Sequence, residues 1–475
     1  MSGAGIGGRN SFPTIAEAAD AIAAGTLSPV ALTEEILDRI ARYDGALYSY
    51  ITVTADAARG AAAEAEAAIR GGRSRGRLHG IPIAFKDIFE TAGVATTGHS
   101  RSMDGHVPEA DATSVRLVRE AGCVGLGKLA THEFAFGGPS FDLPWPPARN
   151  PWNTEHFTGG SSSGSGAAVT AGLALGAFGS DTGGSIRLPA AYSGLVGLKP
   201  TYGRISRTGV YPLSFSLDHA GPMAWTAEDC AILLEAMAGY DPADPACADR
   251  PVPAYASQLD RDLSGLRIGV IRHFWEEAEA DGETVAALEA ALATYERLGA
   301  TLVDVRLSPL ADYCATCSLI LMGEAYAVHE PVMQSRPELL GEILRLRLVL
   351  AATVTAADYV QALRRRRELC AEFAAAFADV DVMFTATAPG PAPRLADMET
   401  FYTFSRPLLT MPFNVTGNPA LATRAGFASN GLPLSQQLIG KPFDEGTLLA
   451  VAHAYEQVTD WASQRPALVL ADVAA

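Results

Sequence analysis

Cysteine is scarce in this chain: six residues in 475. Cys123, Cys230, Cys247, Cys314, Cys317 and Cys370 are scattered, without the spacing of a small disulfide scaffold. That argues against a disulfide-stapled secreted fold and fits a reducing compartment. Cys314 and Cys317 form a lone CxxC with no second pair and no histidines at finger spacing, so two core thiols on a helix are expected rather than zinc ligands. Positive charge is also short. Lys and Arg number 36 against 53 Asp and Glu, for a formal net charge of -17. This sign repels phosphate backbones and anionic lipid heads and disfavours nucleic acid or a membrane as partner. No long hydrophobic run is present. The most apolar stretch, 164–179, consists of small side chains and is too short to cross a bilayer. The N-terminus, MSGAGIGGRNSFPT, lacks a basic start followed by an apolar segment, so no signal peptide is expected. There is no internal repeat and no low-complexity tract. A soluble, cytoplasmic protein, monomer or homodimer, is expected.

Hydrophobic residues make up 48% and charged residues 19%, enough for a large buried core. Ser28-Pro29 supplies the N-cap and first position of a helix bearing Leu32, Ile36 and Ile40 on one face. The Ala/Glu-rich segment 54–70 also reads as helix. Gly80-Ile-Pro-Ile-Ala-Phe-Lys reads as a strand with Ile81, Ile83 and Phe85 on one side. Asp111 is placed to cap a helix running to Gly122, with a strand at Cys123 beyond it. In the second half, strands are expected at 266–271, 301–305 and 380–385. Helices are expected at 282–299, 337–378 and after Asp444. Alternating strands and helices predict an α/β fold with helices on both faces of a sheet. The Pro/Asp/Ala segment 241–256 is the best candidate boundary, yet the chemistry is spread along the first half, and one domain over 1–475 is expected.

The densest functional signal is Gly159-Gly160-Ser161-Ser162-Ser163-Gly164-Ser165-Gly166, followed by Gly179-Ser180-Asp181-Thr182-Gly183-Gly184-Ser185-Ile186-Arg187. A phosphate cradle is disfavoured: the GxxxxGK[ST] pattern is absent and the net charge opposes it. A flexible linker is excluded by the apolar residues 167–178, which should pack as a helix. The remaining reading is a nucleophile on a tight turn, with neighbouring amides as an oxyanion hole. Composition alone leaves it open. A serine nucleophile needs a base. His132 and His156 are near in sequence but lie in no recognisable motif, and each is read as a surface or core histidine. Lys86 lies in an apolar strand, where burial would favour its neutral amine. Snorkelling to solvent is the competing reading.

Taken together, these segments resemble the amidase signature family. The carriers are GGSSSGSGAAVTAG, GSDTGGSIRLPAAYSGLVGLKPTYGRIS, GIPIAFKDIF, NPWN at Asn150–Asn153, TMPFNVTGNPAL at Thr410–Leu421 and GLPLSQQLIGKPFDE at Gly431–Glu445. Ser163 stands where relatives carry glycine. The resemblance implies one α/β/α domain with a large mixed twisted sheet and a catalytic core at about 70–230. It implies Ser185 as the acylated nucleophile, Ser161 as the relay (after a cis peptide bond in relatives) and Lys86 as the base. It puts the oxyanion hole on the backbone of Thr182, Gly183, Gly184 and Ser185. Asp181, Arg187 and Ser162 would hold the loop, with Ser180 hydrogen-bonding inside it. No metal or cofactor is implied.

The expected reaction is hydrolysis of amide C–N bonds through an acyl-enzyme. Aryl amides, aliphatic amides, carbamates and esters stay open as substrates. Aromatics in the variable segments (Phe134, Phe136, Phe141, Trp145, Tyr313, Phe401, Tyr402 and Phe404) suggest an apolar pocket, though half of them would be ordinary core. The rival is the A subunit of a tRNA-dependent amidotransferase, which shares the signature and releases ammonia from glutamine. Such subunits carry an aspartate three residues before the Thr of TxPxN, where this chain has Pro407. A catalytically dead scaffold is disfavoured, since all three triad positions are filled.

Overall fold

Eleven strands hydrogen-bond into one mixed sheet in the computed structural model, which describes residues 12–467. In chain order they are β1 (Tyr50–Val53), β2 (Pro82–Lys86), β3 (Val124–Leu129), β4 (Gly176–Asp181), β5 (Val196–Lys199), β6 (His219–Ala224), β7 (Arg267–Val270), β8 (Thr301–Asp304), β9 (Val382–Ala386), β10 (Ala420–Phe427) and β11 (Pro433–Gly440). The spatial order is β1-β3-β2-β4-β6-β5-β10-β11-β9-β7-β8. β2 runs parallel to both β3 and β4, and β7 runs parallel to β8 and β9. The central pairings, from β4 through β6, β5, β10 and β11 to β9, are antiparallel. Helices cover the sheet, giving an α/β sandwich. Strands such as β2 and β11 are buried at every position, which requires cover on both faces. The expectation of no signal peptide rests on a segment that includes residues 1–11, which lie outside the described ones.

The helix Pro29–Leu47 begins as its sequence dictates, with the Ser28 hydroxyl accepting from the Ala31 amide and proline at the first position. Ala55–Arg70 is helical as expected. Three expectations need correction. Asp111 does not cap the helix Thr113–Glu120. Its carboxylate accepts from the Ala92 amide and pairs with Arg119. The segment 167–178 is not one helix: the helix is Ser163–Thr170, and β4 begins at Gly176. The helical stretch 337–378 is broken into Glu342–Ala351 and Ala356–Ala376, the second started by Thr355 in a capping box with Asp358. Cys314 and Cys317 lie on the helix Leu310–Ser335, the latter buried, and all six cysteines are free. Among the described residues no helix is long and apolar enough to cross a membrane.

Candidate active site

Two parallel neighbours force β2 into the interior, so Lys86 at its end is fully buried. Its Nζ donates to three hydroxyls: Ser161 Oγ at 2.6 Å, Ser180 Oγ at 2.7 Å and Ser162 Oγ at 3.0 Å. Burial pulls the Lys86 ammonium down to about 7, against the carboxylates of Asp181 and Asp218, which pull it up. Snorkelling is thus ruled out by geometry. A neutral amine has two N–H groups and one lone pair, so one of the three hydroxyls can donate to it. The Ser162 hydroxyl donates to the Ser180 carbonyl at 3.3 Å and its oxygen accepts from the Ser180 amide. That leaves Ser161 and Ser180 as the candidate donors.

Ser161 sits on the turn leading into the helix Ser163–Thr170, after a cis Gly160–Ser161 peptide. The His132 amide donates to its carbonyl at 3.1 Å. A Cβ on Gly160 would lie 1.9 Å from the His132 ring, so only glycine lets that ring pack against the turn. Ser185 lies on the turn between β4 and the helix Arg187–Ser193. Its carbonyl accepts from the Ser162 amide at 3.2 Å, which ties the two turns together. The Ser185 hydroxyl has no hydrogen-bond partner among the described residues. Ser185 and Ser161 both line one small pocket of about 50 Å³.

The Ser185 turn is held from below by a buried ion pair. Arg187 donates from Nε and Nη2 to Asp181, at 2.9 and 2.8 Å. Asp181 also accepts from the amides of Gly184 (2.8 Å) and Ile186 (3.1 Å). Burial would raise the Asp181 carboxyl, but the charges of Arg187 and Lys199 hold it far below the usual range. The Gly184 N–H is therefore engaged with Asp181. The amides of Thr182, Gly183 and Ser185 have no partner among the described residues. Gly184 has φ +136°, and a Cβ there would lie 2.2 Å from Thr410 Oγ1.

Three supporting residues were not singled out from the sequence. Arg187 Nη1 donates to the Thr410 carbonyl and to Gln437 Oε1, both at 2.8 Å, and Nη2 donates to Asn414 Oδ1 at 2.6 Å. Thr410 Oγ1 donates to the Gly183 carbonyl at 2.6 Å. Thr410 and Asn414 occupy the fixed positions of TxPxN and Gln437 lies in the QQLIG run, so their motifs were the available signal.

Of the aromatics proposed as walls, Phe136, Tyr402 and Phe404 line the Ser185 pocket. Phe134 and Tyr313 are core, and Phe141 and Phe401 are exposed. His132, read as surface or core, also lines this pocket, kept neutral by burial and by the charges of Arg347 and Lys86. Arg347 lines it too. Burial lowers its guanidinium to about 10, and its three hydrogen bonds go to the carbonyls of Thr400 and Phe136 rather than to a carboxylate. No carboxylate lines the pocket among the described residues.

The amidase family model matches residues 31–449. The chain belongs to the amidase family. It is 42% identical to the A subunit of the glutamyl-tRNA(Gln) amidotransferase of Azotobacter vinelandii (strain DJ / ATCC BAA-1303), over 95% of this chain and 99% of that one. Among solved structures it is similar to the peptide amidase of Stenotrophomonas maltophilia, with a TM-score of 0.84 and 33% identity over 96% of this chain and 98% of that one. It is also similar to a chain from a vestigial protein complex that bears on the origins of an s-triazine catabolic enzyme. There the TM-score is 0.87, with 33% identity over 94% of this chain and 98% of that one. As an amidase-family fold the chain is an α/β sandwich built for C–N hydrolysis.

Proposed function

We propose that this amidase hydrolyses C–N bonds with Ser185 as nucleophile, Ser161 as relay and Lys86 as base. The observation that carries this reading is the buried Lys86 amine, 2.6 Å from Ser161 Oγ, behind the pocket that holds Ser185. Neutral Lys86 takes a proton from Ser161, which takes one from Ser185 as its oxygen attacks the carbonyl. Catalytic hydrogen bonds are often long or open before substrate binds, so a Ser185 hydroxyl with no partner among the described residues is compatible with the nucleophile's role. The free amides of Thr182, Gly183 and Ser185 would receive the oxyanion, with Gly184 serving through its fold instead. The proton returns through Ser161 to the leaving nitrogen, and water then repeats the attack on the ester.

Two readings of the substrate remain, each with its own support. The pocket walls Phe136, Leu213, Tyr402 and Phe404, the lack of a lining carboxylate among the described residues and Pro407 in place of aspartate favour a chain that acts alone on aryl or other apolar amides, carbamates or esters. The likeness to proteins named as the A subunits of amidotransferases, at 42% identity over nearly the whole chain, favours release of ammonia from glutamine beside partner subunits. A hydrolysis screen of the purified chain over anilides, primary amides, carbamates, p-nitrophenyl esters and glutamine separates them. The first reading expects turnover of an anilide or ester by the chain alone and little glutaminase activity. Glutaminase activity that arises only with a second protein chain would establish the other.

A further inference from the structure

A second cavity of about 470 Å³ lies against the Ser185 pocket and shares three wall residues with it: Ala135, Thr182 and Leu213. The magnitudes decide how a substrate can sit. Pockets that hold small organic ligands run to roughly 300–1,000 Å³. The Ser185 pocket, at about 50 Å³, holds the reacting carbonyl with a small acyl group, whereas the larger chamber is of ligand size.

The chamber lies on the lysine side of the reaction. Ile88, two residues beyond Lys86, lines it, and so does Ser180, whose Oγ accepts from Lys86 Nζ at 2.7 Å. Neither Ser185 nor Ser161 lines it. Its charge balance is opposite to that of the nucleophile pocket. Asp244 in its wall is paired with Arg207 at 3.3 Å. Asp218, also in the wall and partly exposed, has no ion-pair partner among the described residues. It accepts instead from Thr182 Oγ1 at 2.6 Å and from the amides of Leu213 and Ser214 at 2.8 and 2.9 Å. Among the described residues one wall carboxylate is thus in excess here, while the Ser185 pocket carries the cation Arg347 and no carboxylate.

We infer that this chamber receives the amine half of the substrate, an organic amine with N–H donors or positive charge, while the acyl half stays on the Ser185 side. The inference rests on the amide-hydrolase reading above and extends it. As the Ser185 Oγ–carbon bond forms and the C–N bond breaks, the nitrogen takes the proton relayed from Lys86 through Ser161. Ser161 lines the Ser185 pocket, so the nitrogen takes its proton there, and the group it carries extends past the shared residues Thr182 and Leu213 into the chamber. The Tyr202 and Tyr211 rings give it apolar walls, and Asp218 favours the protonated amine once it has left.

The test narrows the chamber without touching the triad. Ala246, partly exposed on the wall, is changed in Ala246→Trp. Two amides of one acid are compared: the primary amide, which loses ammonia, and the N-benzyl amide. One methylene more or less in a pocket changes kcat/KM by roughly 10–200-fold, and a tryptophan side chain takes the room of several. Ala246→Trp is expected to lower kcat/KM for the N-benzyl amide by at least about tenfold and to leave the primary amide unchanged. Free benzylamine should also bind the Ser185→Ala protein by calorimetry and lose that binding when Ala246→Trp is added. Ala243→Trp, at an exposed position on the same wall, repeats both arms if Ala246→Trp does not fold. Benzylamine binding untouched by either tryptophan, or a loss that follows the size of the acyl group, would overturn the assignment. If wild-type protein cleaves neither amide, the hydrolase reading fails, and the benzylamine arm still decides the chamber.

Discussion

A lysine amine buried among hydroxyls, with no carboxylate in contact, is a base only when it has lost its proton. Lys86 meets this condition near neutrality because burial lowers it to about 7. The active form is the neutral one, so kcat/KM should rise with pH up to about 7 and level off above it. A profile flat from pH 6 to 9, with chemistry rate-limiting, would count against a lysine base. Ser161→Ala should lower kcat by roughly 10²–10⁴-fold with little change in KM, since a relay hydroxyl acts on the proton rather than on binding. Ser163→Ala is the control. The Ser163 hydroxyl makes no hydrogen bond among the described residues, and its amide already serves the Ser161 carbonyl at 2.8 Å. Equal damage from both variants would place the relay elsewhere. At this scale the sequence left much undecided. Three of the four lysines, Lys86, Lys128 and Lys199, are fully buried, so burial alone does not mark a base. Lys128 and Lys199 both donate to backbone carbonyls, whereas Lys86 meets only hydroxyls. That difference depends on partners distant in the chain, and only the family motif pointed to it. Arg347 was hidden for the same reason, in a helix rich in Leu and Arg.

At the scale of elements, the turn after β4 is shaped by Asp181 and Arg187, which join it to the helix Pro412–Val415 and to β11. Arg187→Met would leave the Asp181 carboxylate buried without its cation. Breaking one side of a buried pair costs about 3–5 kcal/mol, so chemical denaturation should show a loss of that order, together with loss of activity through the displaced turn. A variant as stable and as active as wild type would mean the pair does not hold the turn. Elements with strong local signals were legible: Ser28-Pro29 marked its helix start, and the apolar run before Lys86 marked a strand. The helix Ser163–Thr170 was misplaced because its residues are mostly Ser, Gly and Ala, and Ser and Gly carry weak helical preference. It forms because small side chains let it pack closely: a Cβ on Gly164 would lie 2.4 Å from the Ala130 amide nitrogen. Asp111 looked like a cap because the spacing was right, but Arg119, eight residues on in the same segment, competes for its carboxylate at 2.7 Å.

Across the whole molecule, the sheet order brings together what the chain keeps far apart. β2 supplies the proposed base, the segment before β4 the proposed relay and the turn after it the proposed nucleophile. The loop before β10 and the strand β11 brace that turn from more than 200 residues away. The α/β class was legible from alternating elements. The sheet order was not, because it rests on long-range pairings such as β5 with β10 that no local pattern encodes. The cavity beside Ser185 was equally invisible, since its walls come from separate loops. The most direct test of the central claim is the site of covalent capture. Protein treated with a fluorophosphonate, digested and read by mass spectrometry should carry the adduct on Ser185 alone, and Ser185→Ala should remain folded and unlabelled. An adduct on any other residue, or undiminished labelling of Ser185→Ala, would contradict the assignment of Ser185 as the nucleophile.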